Sequence, residues 1–295
     1  MNPTLRINYH TLTWGARTYV MGILNITPDS FSGDGLLMPG DSNLVEVALR
    51  KAHQFVEAGA DILDVGGEST RPGSESVSAE DELKRVMPVI RALAGQLPDT
   101  LISIDTYKAG VATAALDAGA HLVNDVWGLR ADPELATVVA EHACPVILMH
   151  NRSNPASVEV RAQLGNAYIG PDYVDLLEDV KRELLESVDL ALAAGIAKEK
   201  IILDPGVGFG KTVAQNLELI DRLGEIRALG YPVLLGPSRK SFIGYTLDLP
   251  PDQRLEGTAA TISVGITRGA DLVRVHDVQE IVRIARMTDA LVRRR

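Results

Sequence analysis

Short apolar runs rich in Val, Ile and Leu recur along the chain, and Gly or Pro bounds most of them: YVMGILN (19–25), DILDVGG (61–67), LISIDT (101–106), HLVNDV (121–126), PVILMH (145–150), KIILDPG (200–206), PVLLGPS (232–238) and DLVRVHD (271–277). None alternates strictly, as expected of parallel strands buried on both faces. Between them lie stretches with helical spacing, such as 43–59 and 172–195, the second closed by Gly195 as a helix stop. EAGADILDVGG, DAGAHLVNDVWG and TRGADLVRVHD echo one another, each running from a helix end through a glycine turn into a strand. One βα unit repeated about eight times predicts an α/β fold, a (β/α)8 TIM barrel. A doubly wound sheet is the alternative. The segment 5–19 alternates around Trp14-Gly15 and is read as an N-terminal β-hairpin closing the barrel floor. No shift of composition divides the chain, so residues 1–295 are read as a single domain.

Composition narrows the partners. Of 295 residues, 46% are apolar and 23% charged, enough for a large core. The formal charge is −10 and aromatics are only 4%, which disfavours a nucleic-acid surface. No apolar run approaches the roughly 20 residues that span a bilayer, and the start lacks a signal-peptide layout. A cytoplasmic protein without membrane partners is expected. The one cysteine, Cys144, excludes a cysteine metal cage and reads as a buried thiol.

In such a barrel the carboxyl ends of the strands face the active mouth. Here each run ends on hydrogen-bonding or ionisable groups: Asn25, Asp64 to Glu68, Asp105, Asn124 with Asp125, His150, Asp204, Ser238 to Lys240, and Arg274 with His276. Any one of these could be a helix cap. Asp105, Asn124 and Asp204 suit a flat heterocycle with N–H edges, since a carboxylate can accept two parallel hydrogen bonds. Lys240, Arg274 and His276 suit a phosphate or pyrophosphate. Asn25 offers an oxygen to Mg2+, which needs one or two protein oxygens when phosphates and water supply the rest. His150 is either a ligand or a wall residue, and the wall is favoured.

Two punctuated loops, 25–35 (NITPDSFSGDG) and 66–78 (GGESTRPGSESVS), are long for simple connections and are read as lids. DPGVGFGKT (204–212) resembles a phosphate loop but has three residues between Gly206 and Gly210, not four, so a nucleotide-triphosphate loop is rejected. Its glycines instead let a ligand approach backbone, with Phe209 beside it.

GILNITPDSFS, DVGGESTRPG, SIDT, NDVWG, ILMH, LDPGVGFGKT, GPSRKSFIG and RVHDV, in this order, resemble the dihydropteroate synthase family from end to end. The resemblance implies a (β/α)8 barrel that joins p-aminobenzoate to 6-hydroxymethyl-7,8-dihydropterin pyrophosphate, a homodimer with Mg2+ as cofactor, and a target of sulfonamides. It implies that Asp105, Asn124, Val126, Met149, Asp204, Gly236, Lys240 and Arg274 bind the pterin. Asn25, Thr70, Arg274 and His276 would take pyrophosphate, with Asn25 also the metal ligand. Asp29, Phe31, Ser32, Thr70, Arg71, Pro72, Phe209 and Ser241 would serve p-aminobenzoate and the lids. Asp105, Lys240, Arg274 and His276 would carry the catalysis, a dissociative one that needs no strong base.

The chain departs from the family at Ser32-Gly33-Asp34-Gly35, where the usual carboxylate is displaced by one position. Phe31 and Arg71 are kept, so sulfonamide sensitivity is expected. A corrinoid-dependent pterin methyltransferase would need neither Arg71-Pro72 nor Lys240-Ser241. A noncatalytic pterin binder would have lost motif residues, and only the loop shift is seen.

Overall fold

The computed structural model describes residues 3–27, 44–70, 73–154, 157–161 and 163–293. Its first two strands, β1 (Thr4–Ile7) and β2 (His10–Thr13), form an antiparallel hairpin. The eight apolar runs become β3 (Tyr19–Asn25), β4 (Ile62–Gly66), β5 (Leu101–Asp105), β6 (Leu122–Asp125), β7 (Val146–Met149), β10 (Ile201–Asp204), β11 (Leu234–Leu235) and β12 (Leu272–Val275). Between β7 and β10 lies a small hairpin of β8 (Val158–Glu159) and β9 (Ala167–Tyr168).

The eight long-range strands pair in parallel in the order β10-β7-β6-β5-β4-β3-β12-β11. A further parallel bridge joins Leu203 to Val233, so the last strand returns to the first and the sheet closes into a barrel. Closure rules out the doubly wound alternative, whose sheet stays open. Strand β11 is the shortest because Pro232 lacks an N–H and Gly236-Pro237 ends the run.

Side chains alternate in and out along each strand. Leu63, Val65, Ile102, Ile104, Val123, Leu148, Leu203 and Val273 pack outward against the helices, in the main core. Met21, Ile62, Leu101, Leu122, Ile147, Ile202, Leu234 and Leu272, one from each strand, point inward and form a second cluster. The hairpin adds Leu5, Ile7, Leu12 and Trp14 to that cluster, all buried, so it plugs the floor as its pattern implied. The hairpin reverses at Asn8-Tyr9, where Asn8 has φ 52°, and not at Trp14-Gly15. Trp14-Gly15 turns the chain from β2 into β3, Gly15 N–H donating to Asp271.

Two residues beyond the floor, the same inward positions read Ile23, Asp64, Ser103, Asn124, Met149, Asp204, Gly236 and Arg274. The barrel is therefore apolar below and polar above, with the polar groups at the carboxyl ends of the strands. Cys144 is buried, and burial pushes its thiol up to about 11, so it is a structural residue. No described helix is long and apolar enough to cross a membrane.

The floor is testable. Trp14 is 2% exposed and meets the Tyr19 ring edge-on. Trp14→Ala should lower unfolding stability by about 3–5 kcal/mol in urea titrations. A loss below about 1 kcal/mol would mean that the hairpin does not seal the barrel.

Candidate active site

Arg274, on β12, stands at the centre of the mouth. Its Nε donates to Asp64 Oδ2 at 2.6 Å and its Nη2 to Asp105 Oδ2 at 2.6 Å. Asn124 Nδ2 donates to the same Asp64 oxygen at 3.1 Å. Strand register makes this possible: Asp105 lies beside both Gly66 and Asn124, and Asp64 beside Ser103. Asp64 and Ser103 are fully buried, and Asp64 Oδ1 and Ser103 Oγ have no hydrogen-bond partner. Unpartnered buried acceptors are costly, so these two mark polar floor left for a ligand or water.

The electrostatics follow from the dry surroundings. Burial pushes Asp105 up to about 7, reinforced by Asp64 and opposed by Arg274. Asp204, at the end of β10, is also raised by burial, against the pull of Lys240 and a hydrogen bond from Gly206 N at 2.7 Å. Burial and the neighbouring Arg274 bring Lys240 down to about 8, although Asp204 and Asp105 hold it up. Burial alone would lower the Arg274 guanidinium, but Asp64 and Asp105 outweigh it and keep Arg274 charged.

Gly236 lies between Asp204 and Arg274: a Cβ there would sit 3.7 Å from Arg274 Cβ and 4.0 Å from Asp204 Oδ2. Leaving it out keeps that wall open. Val126, Met149 and Phe209 form one apolar cluster, flanked by Tyr107, Trp127 and Tyr168. Lys240 Nζ lies 4.5 Å from the centre of the Phe209 ring and donates to Val207 O. Phe209 stacks on Tyr168 with ring centres 5.9 Å apart, and Tyr168 Oη donates to Thr70 O at 3.1 Å. Ser241 opens the next helix, Ser241–Leu247. His276 N donates to Ser238 Oγ at 3.2 Å, and its Nδ1 lies 3.0 Å from the same atom. Asn25 ends β3, partly exposed and in register with Gly66.

The structure thus gathers Asn25, Asp105, Asn124, Val126, Met149, Asp204, Phe209, Gly236, Lys240, Ser241, Arg274 and His276 around one mouth, with Thr70 at its edge. Asp29, Phe31, Ser32, Arg71, Pro72 and the Gly33-Asp34 shift lie outside the described residues. Asp125 faces away from the mouth. Its carboxylate accepts from Trp127 N at 2.8 Å and Leu129 N at 2.5 Å, fixing the turn after β6. His150 is a wall residue as expected, 1% exposed and bound to Glu183. Asp64 stands among the strand-end groups of the sequence reading but without a role, and Ser103 is not among them. The signal was there: both occupy the inward position two residues after a floor residue.

Comparison with known proteins agrees with this geometry. The profile of the family described as "Pterin binding enzyme" matches residues 21–276. The chain belongs to that family of pterin-binding barrels. Within it, the chain is 50% identical to a dihydropteroate synthase of Clostridium beijerinckii, over 98% of this chain and 100% of that one. It is 49% identical to the dihydropteroate synthase of Bacillus subtilis, over 95% and 91%. Among solved structures, dihydropteroate synthase from Clostridium difficile in the presence of pteroic acid superposes with a TM-score of 0.85 at 49% identity, covering 95% of this chain and 99% of that one. The Yersinia pestis enzyme with a sulfonamide drug complex gives 0.86 at 41% identity, covering 98% of each.

Arg274→Met should expose the electrostatic frame of the site. Without the guanidinium, Asp64 and Asp105 face one another in a dry site, and Asp105 rises beyond its present value. A raised carboxyl pKa in the folded state means stability is lost as pH climbs from about 4 through about 7. Urea unfolding should therefore show a loss of about 3–5 kcal/mol at pH 8 that largely recovers at pH 5. An equal loss at both pH values would contradict this reading.

Proposed function

We propose that the protein condenses 6-hydroxymethyl-7,8-dihydropterin pyrophosphate with p-aminobenzoate, forming 7,8-dihydropteroate and releasing pyrophosphate. The carrying observation is the Arg274 guanidinium clamped by Asp64 and Asp105 in a mouth that also holds Asp204 and Lys240. Asp204, Asn124 and Lys240 read the polar edges of the pterin, and Met149, Val126 and Gly236 wall its faces. Arg274, His276, Asn25 and Thr70 face the pyrophosphate. Phe209 and Ser241, with Phe31, Arg71 and Pro72 from the two loops, receive p-aminobenzoate. Asp29 and Ser32 complete the first loop.

The C–O bond to pyrophosphate breaks first, its electron pair leaving with the pyrophosphate oxygen. Arg274 and His276 stabilise that departing charge. The remaining exocyclic carbon is a cation delocalised into the pterin ring, and buried Asp105 and Asp204 lower its energy. The amine nitrogen of p-aminobenzoate then attacks this carbon, forms the C–N bond and sheds a proton. Because the carbon is already electrophilic, no strong base is required. Water must be kept from this cation, which it would otherwise trap as the alcohol.

Asn25 suits Mg2+: a carboxamide oxygen at a strand end is a hard ligand, and one such oxygen suffices beside phosphate and water. Among the described residues there is no cluster of three or more His, Cys, Asp or Glu side chains for a metal ion. Bound there, Mg2+ would neutralise charge on the leaving pyrophosphate. The outer helices Leu255–Thr267 and Val278–Val292 carry exposed Val264, Met287 and Leu291, a face suited to a homodimer.

The test is pyrophosphate release. It should require both substrates, and a sulfonamide such as sulfamethoxazole should raise the apparent KM for p-aminobenzoate without changing kcat. Binding of the pterin without release, with p-aminobenzoate and Mg2+ present, would favour an inert binder and overturn the proposal.

A further inference from the structure

Lys211 closes the glycine loop after β10, and its side chain is 5% exposed. Its ammonium meets three acceptors: Gly206 O at 2.8 Å, Phe209 O at 3.1 Å and His150 Nδ1 at 3.0 Å. An ammonium has three N–H bonds, so every donor is used. His150 must then carry its proton on Nε2, which lies 3.1 Å from Glu183 Oε2. Glu183 is in turn held by Arg152. Glycines bring the loop this close: a Cβ on Gly206 would collide with His150 O, and Gly206 has φ 67°.

We propose that Lys211 is a positioning residue for the second substrate, fixing the backbone that aims Phe209 between Lys240 and Tyr168. The proposal rests on the reading of Phe209 as the p-aminobenzoate side. The hydrogen bonds of Lys211 go to the glycine loop and His150, and none reaches the Asp64–Arg274–Asp105 frame. Its loss should therefore act far more on p-aminobenzoate than on the pterin, which meets Lys211 only through the charges of Asp204 and Lys240.

Six charged or titratable groups surround it. His150 and Arg152 come from the segment after β7, Glu183 from the helix Leu176–Ala193 and Tyr173 from the approach to that helix. Asp204 ends β10, and Lys240 precedes the helix Ser241–Leu247. Burial, with Lys240 and Arg152, brings Lys211 down to about 7, while Asp204 and Glu183 hold it up. Above that pH a neutral amine has two N–H bonds for three acceptors, and the clamp loosens.

In Lys211→Met, KM for p-aminobenzoate should rise about tenfold, with kcat and binary affinity for the pterin pyrophosphate within about threefold. In the wild type that KM should climb as pH passes through about 7, and in the variant it should not. An unchanged KM, or a parallel loss of pterin affinity, would overturn the proposal. Should the variant not fold, hydrogen exchange on the wild type decides. Protection of the Gly208 and Phe209 amides, corrected for intrinsic exchange, should fall across the same pH range, and constant protection would overturn the clamp. Absence of wild-type turnover would overturn the reading of the site, while the exchange measurement would still judge Lys211.

Discussion

A largely enclosed guanidinium shared by two buried carboxylates is the constraint on which the mouth of this barrel depends. Arg274 brings a permanent positive charge into a place with little water, and Asp64 and Asp105 are what let it remain there. The three residues come from strands β12, β4 and β5. Their contact therefore depends on the observed strand order and register, with β3 between β12 and β4. A slip of one residue would turn all three side chains into the helix layer. The polar frame and the barrel topology are in this sense one requirement.

The alternation of side chains explains how a dry floor and a charged mouth occupy the same strands. Five of the eight strands follow an apolar floor residue with a polar or charged one at the next inward position, among them Ile62 then Asp64, Leu101 then Ser103, and Leu272 then Arg274. The apolar floor, sealed by Trp14 and the hairpin, keeps water from below, and this dryness raises Asp105 and Asp204 and lowers Lys240. Across the mouth, the glycine loop supplies Phe209 on a backbone tied down from behind by Lys211 and His150. One side of the site is thus preorganised through strands and charge, the other through a clamped loop.

The eight strands were legible because doubly buried parallel strands are short apolar runs, and the closing groups were legible because strand ends carry them. What could not be read depended on contacts distant in sequence. The partnership of His150 with Glu183 spans 33 residues and joins a strand end to the middle of a helix. Asp64 has no assignable role in the sequence until Arg274, 210 residues away, is seen against it. The alternation over 5–19 shows the hairpin, but Trp14-Gly15 is a more obvious turn signal than Asn8, whose φ of 52° makes the actual reversal. Asp125 looked like a neighbour of Asn124 in the site, yet adjacent residues on a strand face opposite ways, and it holds a turn instead.

In the proposed function, Asp64 serves the dihydropterin pyrophosphate by holding Arg274 in place at the mouth. Calorimetric titration of the dihydropterin pyrophosphate into Asp64→Asn tests it directly. Substitution removes one charge from the guanidinium's frame but preserves size, so the barrel should stay folded. The account predicts affinity weakened by about tenfold or more, the scale of a lost charged hydrogen bond. An affinity equal to that of the wild type, in a folded variant, would contradict it.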